Sequence, residues 1–308
     1  MSNSSGTPIK HWIQAARLRT LPLAFAVIIL GSGLAYLHSN TFTLHIFLLA
    51  LLVSFTYQVL SNYANDLGDG IKGTDKNKKG EQRAVASGLI SIVQMKRATG
   101  LFTILALVSG ALLTYLSFWN SPLFWLFLLL NFCAVWAARS YTLGVSPYAY
   151  WGGGDLFVFL FFGFVGVMGS SALQTGFIKL LDALPSMVAG SLSASVLTLN
   201  NLRDREGDAL HNKKTLVVRY GSSWGRSYFK ALLIIAIITS LCFALIASVI
   251  SQNYFPIVAH LIFQFVLRGQ FKKFRSSKSP EEYDRLLKPM ALVTLMYCVL
   301  TSLSLFLQ

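Results

Sequence analysis

The chain has 308 residues, of which 54% are hydrophobic and 12% charged, against about 25% charged in a typical soluble domain. That balance, with a mean hydropathy of +0.58, excludes an ordinary water-soluble fold. The formal charge of +14 lies on connections between apolar runs, and nothing resembles a nucleic-acid-binding module.

Met1 to Thr7 is polar, and residues 10–19 are basic and partly amphipathic, which predicts an interfacial helix leading into the first apolar run. No small-residue cleavage site follows, so this is not a removable signal. Nine stretches are long enough to cross about 30 Å of hydrocarbon at 1.5 Å per residue. They fall near 19–38, 43–65, 95–118, 121–139, 153–175, 178–201, 228–250, 253–270 and 288–307, with 253–270 the weakest because His260 and Gln264 interrupt it. Lipid offers no partner for backbone polar groups, so these segments must be helices. The expected fold is an all-α polytopic membrane protein, a single domain over 1–308 with nine transmembrane helices around a central cavity and a polar cap. Cys133, Cys242 and Cys298 lie inside predicted spans as small apolar residues, and the five His residues form no zinc pattern.

Lys179 is the one cation outside the N-terminal tail and the connections following even-numbered spans. The positive-inside rule then places the N-terminus and those connections in the cytoplasm and the C-terminus outside. The remaining basic residues suit anionic lipid at the bilayer surface.

The twelve acidic residues are scarce, and most fall in or beside two places. The first is Asn62-Tyr-Ala-Asn65-Asp66-Leu-Gly-Asp69-Gly-Ile-Lys72-Gly-Thr-Asp75, and the second is Asn200-Asn201-Leu-Arg203-Asp204-Arg-Glu206-Gly-Asp208 with Lys213-Lys214-Thr215 after it. If the flanking segments are helical, Asn62, Asp66 and Asp69 share one face at i, i+4 and i+7, and Asn201, Asp204 and Asp208 share another at i, i+3 and i+7. The clusters open the two largest interior polar connections, about 66–94 and 202–227, on the same side of the membrane. Their recurrence four spans apart hints at a weak internal repeat.

Carboxylates alone repel a diphosphate, whereas Mg2+ held by Asp and Asn oxygens accepts phosphate oxygens into its shell. Asp66 and Asp69 would serve one ion and Asp204 and Asp208 another, with Asn62, Asn65, Asn200 or Asn201 as neutral ligands. Lys72, Arg83, Arg203, Lys213 and Lys214 lie close enough in sequence to clamp phosphate. Departure of diphosphate from an allylic carbon leaves a cation, which requires a dry pocket lined by aromatic faces. Tyr141 and Tyr148, with Tyr150, are candidates for that lining. Helix termination and solvated turns are the plain alternative for a single Asp pair, but two matched clusters at span ends point to a site.

These residues resemble the two signatures of the UbiA superfamily of intramembrane prenyltransferases. Arg17-Leu-Arg19-Thr20-Leu21-Pro22, Arg83-x-x-x-Ser87-Gly88 and Tyr148-x-Tyr150-x-Gly-Gly-Gly154-Asp155 extend the likeness along the chain. Within the superfamily, Asn65-Asp66-x-Gly68-Asp69-x-x-Lys72-Gly73-x-Asp75 and Asn212-Lys213-Lys214-Thr215 look like the 1,4-dihydroxy-2-naphthoate prenyltransferases of menaquinone synthesis. The resemblance implies a protein of a bacterial cytoplasmic (inner) membrane. It implies transfer of a polyprenyl group from polyprenyl diphosphate to the naphthoate, with loss of CO2 and diphosphate, to give demethylmenaquinone. It also implies that Asn62, Asn65, Asp66, Asp69, Asp75, Asn200, Asn201, Asp204 and Asp208 hold or support metal, while Arg83, Lys213 and Lys214 hold phosphate. Asp155 stands where the family often has Glu, so it is either an acceptor-orienting group or a helix N-cap after the glycines. Two alternatives remain open: a 4-hydroxybenzoate enzyme of the same family, and an ion-coupled transporter. The latter would place its acids near mid-membrane rather than at span ends.

Overall fold

The computed structural model describes residues 7–73 and 83–307, and the described residues contain helices and turns but no strand. α1 (Ile9–Ala16) is the short amphipathic helix expected at the N-terminus, ended by Arg17 in the left-handed conformation (φ 49°). A 3-10 turn at Leu18–Thr20 leads into α2 (Leu21–Ser39), whose first turn accepts Pro22 because the proline's missing N–H has no intrahelical partner there. The remaining helices are α3 (Leu44–Lys72), α4 (Ile92–Phe118), α5 (Leu123–Ser140), α6 (Gly154–Val158), α7 (Gly169–Thr175), α8 (Ala183–Leu210), α9 (Leu216–Ser251), α10 (Phe255–Ser276) and α11 (Pro280–Phe306). A π-helical segment, Phe159–Met168, joins α6 to α7 without a break in direction.

Eight of these segments are long and apolar enough to cross a membrane, so the chain is an all-α integral membrane protein. α10 does not meet that standard, because Arg268, Lys272, Lys273 and Arg275 crowd its last turns. Connectivity nevertheless makes it a crossing. α9 starts in the cap and α11 starts there too, so α10 must return between them, and its 22 residues span about 33 Å. Phe274 at its end stacks on Phe229 near the start of α9, at 4.0 Å between ring centroids. His260, which weakened the apolar run, is satisfied by Ser240 Oγ at 3.0 Å.

Two boundaries move the acidic motifs out of the connections and onto helices. α3 continues past residue 65 to Lys72 and closes on Gly73, whose positive φ (74°) turns its N–H back to the carbonyls of Asp69 and Gly70. α8 likewise continues to Leu210. Asp66 and Asp69, and Asp204 and Asp208, therefore sit on the last turns of two long helices, and the helical-face spacing read from the sequence applies to both. The connection expected over 202–227 is mostly helical, and only residues 211–215 separate α8 from α9.

Small residues let the helices approach. α2 meets α11 where a Cβ on Gly33 would lie 2.7 Å from Ser302, and Ser302 Oγ donates to Ile29 O at 2.9 Å. The π segment meets α8 at Gly163 and Gly190, where an added Cβ on either would come within 2.7 Å of a carbonyl oxygen on the other helix. At the end of the bundle away from the cap, His38 pairs with buried Asp182 at 2.6 Å. Phe306 packs on Tyr36 and Phe42 there, so the described residues begin and end at opposite ends of the bundle.

Gly190→Val is expected to destabilise the bundle by about 1–3 kcal/mol, the usual cost of overpacking. A lower thermal midpoint of the detergent-purified protein, set against an Ala exchange at exposed Gly100, checks this.

Candidate functional site

A cavity of about 380 Å³ runs from the cap into the bundle between α2, α3, α4, α5, the π segment and α8. Its membrane-facing wall is apolar, with Val27, Val53, Leu113, Phe161 and Val165. Its cap wall carries Arg17, Asn62, Asn65, Arg83, Asn200, Asn201, Arg203, Asp204, Asp208 and Lys213. The first motif arrives from α3, the second from α8, and the link is a lysine. Lys213 Nζ lies 3.4 Å from Asp69 Oδ2 and 3.6 Å from Asp208 Oδ1. Burial alone would lower the pKa of this ammonium, but Asp69 and Asp208 outweigh it and hold it well above the ordinary lysine value. That shift favours the charged ammonium, which binds the two motifs together.

Each acidic side chain already has a protein partner. Asp66, 1% exposed, accepts the backbone N–H of Ala84 at 3.1 Å and of Val85 at 3.4 Å, which draws the segment after Arg83 over the end of α3. Asp69 also accepts from Tyr150 Oη at 3.1 Å. With its amide oriented to satisfy both neighbours, Asn65 donates to Asp69 at 2.9 Å and accepts from Arg17 Nη1 at 3.1 Å. Across the chamber, Arg203 forms a fork to Asp204, at 2.7 and 2.8 Å, and reaches Asp284 near the start of α11.

Other expected residues lie elsewhere. Asp66 and Asp69 stand behind the cavity wall rather than in it. Lys72 turns away to Thr142 O at 3.1 Å and lies 3.9 Å over the Tyr150 ring. Lys214 is exposed, with its backbone N–H on Tyr150 O. Asn62 is in the wall, but its amide donates to Ala16 O and Thr20 Oγ1, tying α1 to α3. Asp155 is no N-cap: it lies within the first turn of α6, is buried, and accepts from Thr198 on α8 at 3.4 Å. Tyr141 and Tyr148 do line the cavity, 5.3 Å apart between ring centroids. Burial pushes the Tyr141 phenol up to about 12, so it remains a neutral hydrogen-bonding group. Asp75 lies outside the described residues. Arg17 and Asp284 were not read from the sequence as site residues. Asp284 follows Glu281 and Glu282 at the start of α11 and looks like one more helix-start acid, and its contact with Arg203 is what sets it apart.

Among the described residues no three acidic, His or Cys groups converge on one point. What the cap offers is two pairs of hard carboxylate oxygens with neutral amides beside them. That donor set suits Mg2+, which is held by one or two carboxylates with phosphate oxygens completing its shell.

An all-helical membrane bundle with carboxylate pairs capping an apolar chamber is an integral membrane protein with a buried site, charged at one end and apolar along its length. Residues 24–296 match the UbiA prenyltransferase family, and the chain belongs to it. It is 37% identical to the 1,4-dihydroxy-2-naphthoate octaprenyltransferase of Haemophilus influenzae over 305 residues, 96% of each chain. Over 223 residues, 72% of each chain, it is 41% identical to the Escherichia coli protein of that name. The fold is shared with a UbiA homologue from Archaeoglobus fulgidus solved with GPP and Mg2+, with a TM-score of 0.63 and 17% identity over 96% of this chain and 99% of that one. An apo UbiA homologue from Aeropyrum pernix superposes with a TM-score of 0.66 at 16% identity, over 93% of this chain and 96% of that one.

Lys213→Met leaves Asp69 and Asp208 buried without their shared cation. The expected loss is about 3–5 kcal/mol, read as a lowered thermal midpoint, with Lys214→Met as the exposed control that leaves it unchanged.

Proposed function

We propose that the protein transfers a polyprenyl group from polyprenyl diphosphate to 1,4-dihydroxy-2-naphthoate, releasing CO2 and diphosphate and forming demethylmenaquinone. The observation that carries this reading is the likeness, over 96% of both chains, to an enzyme named for that acceptor. The setting is a bacterial cytoplasmic membrane with the cap on the cytoplasmic side. All cations except Lys179 cluster toward that end of the sequence-read topology, and the described residues begin and end at opposite ends of the bundle.

Asp66 and Asp69 with Asn65, and Asp204 and Asp208 with Asn200 and Asn201, are the groups to hold Mg2+, with Asn62 supporting from the side. Bound there, Mg2+ neutralises the diphosphate and makes it a better leaving group. Lys213 and Arg83, both in the cavity wall, bind phosphate oxygens. Arg203 is held by Asp204 and Asp284 and stabilises the end of α8. Lys72 and Lys214, turned away from the cavity, add long-range positive potential rather than contacts. The apolar wall holds the prenyl chain and excludes water that would quench an allylic cation. Tyr141, Tyr148 and Phe157 present ring faces to that cation. Asp155, behind this wall, fixes α6 against α8 through Thr198.

The test is incubation of detergent-purified protein with Mg2+, a long-chain polyprenyl diphosphate and either the naphthoate or 4-hydroxybenzoate, followed by mass spectrometry of the lipid extract. The expected product is a prenylated naphthoquinol lacking the carboxylate, formed only with Mg2+. Product from hydroxybenzoate alone would move the enzyme to the other branch of the family, and no product from either acceptor would reject both. Asp66→Ala and Asp204→Ala are each expected to lower turnover by at least about a thousandfold while the folded yield is retained. Full activity in either would remove that residue from the site.

A further inference from the structure

Arg17 stands apart among the cations of the chamber. It sits where α1 ends, with a left-handed backbone (φ 49°, ψ 61°) that costs a non-glycine residue about 1–2 kcal/mol. That backbone is held by the Arg17 N–H on Gln14 O, and by the Thr20 N–H and hydroxyl on Arg17 O. The side chain is 92% buried, being 8% exposed, and lies in the cavity wall. Its Nη1 meets the neutral amide of Asn65, and its Nη2 has no hydrogen-bond partner among the described residues. Lys213 and Arg203, in contrast, each hold two carboxylates. A buried guanidinium with an idle nitrogen facing a cavity is costly unless an anion completes it.

The neighbourhood favours one kind of anion. Thr20, Gln58 and Ser61 line the same chamber and are neutral hydrogen-bonding groups, with Gln58 donating to Thr20 at 3.1 Å, and Arg19 adds a second cation to this wall. Asn65 separates the guanidinium from Asp69. A diphosphate with its metal is served by the carboxylates and by Lys213. The planar fork of Arg17 fits a single carboxylate, and the neutral side chains around it fit aromatic hydroxyls. Resting on the prenyl-transfer reading above, we infer that Arg17 binds the carboxylate of the aromatic acceptor. It thereby sets the ring against the reacting end of the prenyl chain and selects hydroxylated aromatic acids.

The test measures steady-state kinetics of the full-length protein and of Arg17→Asn, a residue that tolerates the left-handed backbone. Arg17→Gly, which fits it without strain, provides a second variant should the first fail to fold. The expected result is a KM for 1,4-dihydroxy-2-naphthoate raised roughly ten- to a hundredfold, the effect of a lost charged hydrogen bond, with the KM for polyprenyl diphosphate unchanged. Inhibition by 1,4-dihydroxynaphthalene, which lacks the carboxylate, should be the same in both proteins, a result that general loosening of the chamber would not give. A rise in the donor KM with the acceptor KM unchanged would overturn the inference and assign Arg17 to the diphosphate. An acceptor KM unchanged in a folded variant would overturn it as well. Absence of naphthoate turnover in the unaltered protein would reject the underlying reading, and this inference with it.

Discussion

The structure depends on keeping four carboxylates at the end of a helical membrane bundle without leaving any of them unpaired. Buried charges are tolerated only when each has a close partner, and the cap meets that condition with few residues. Lys213 joins Asp69 to Asp208 and so joins the end of α3 to the end of α8. Arg203 does the same for Asp204 and Asp284, bringing in α11. Asp66 uses two backbone N–H groups instead of a cation, and in doing so holds the segment after Arg83 over the site. The acids proposed to serve the chemistry are also the points at which distant parts of the chain are fastened.

That economy has a consequence for ligand binding. Asp66, Asp69, Asp204 and Asp208 are each engaged by a protein donor, so on the reading proposed above a diphosphate with its metal would enter by exchange rather than by filling an open cage. Lys213 would then pass from carboxylate to phosphate with little change of charge around it, because one anion replaces another. The bundle below is built differently: glycines at 33, 163 and 190 bring backbones close, and serine and threonine hydroxyls return to carbonyls of their own helices. Most of the polar groups in this part of the bundle are thereby satisfied, and the chamber wall below the cap is largely apolar. Tyr57 and Asn131 show the same rule, since Tyr57 Oη donates to Asn131 Oδ1 at 2.6 Å and Asn131 Nδ2 in turn donates to Leu107 O at 3.0 Å.

Hydrophobic run length and the pattern of basic residues were enough to read the class of fold, the helical crossings and the cap, because lipid allows few alternatives to a helix. Local periodicity also sufficed to put Asn62, Asp66 and Asp69 on one face, since α3 is regular through Lys72. The ends of α3, α8 and α9 were not legible in the same way. Polar residues after an apolar stretch look like a connection, yet α3 and α8 continue helically into the cap, and α9 begins there with a short helical stretch broken from the crossing at Gly221 (φ 89°, ψ 167°). α10 shows the converse: composition makes it the weakest crossing, and its neighbours' connectivity makes it a crossing all the same.

The sequence by itself determined which residues are chemically capable: paired acids, amides and cations at the ends of two crossings, with aromatic residues nearby. Only the tertiary structure decided which of them share a chamber. Lys72 and Lys213 are both lysines a few residues beyond an Asp motif, but α3 turns Lys72 outward to Thr142 O while the short link after α8 folds Lys213 between Asp69 and Asp208. Arg17 and Asp284 lie far along the chain from both motifs, at the start of the first crossing and of the last. Arg17 opens a segment that carries the family likeness, yet nothing local gives it or Asp284 a role, because what places each at the site is the packing of α2 and α11 against the helices that carry the acids.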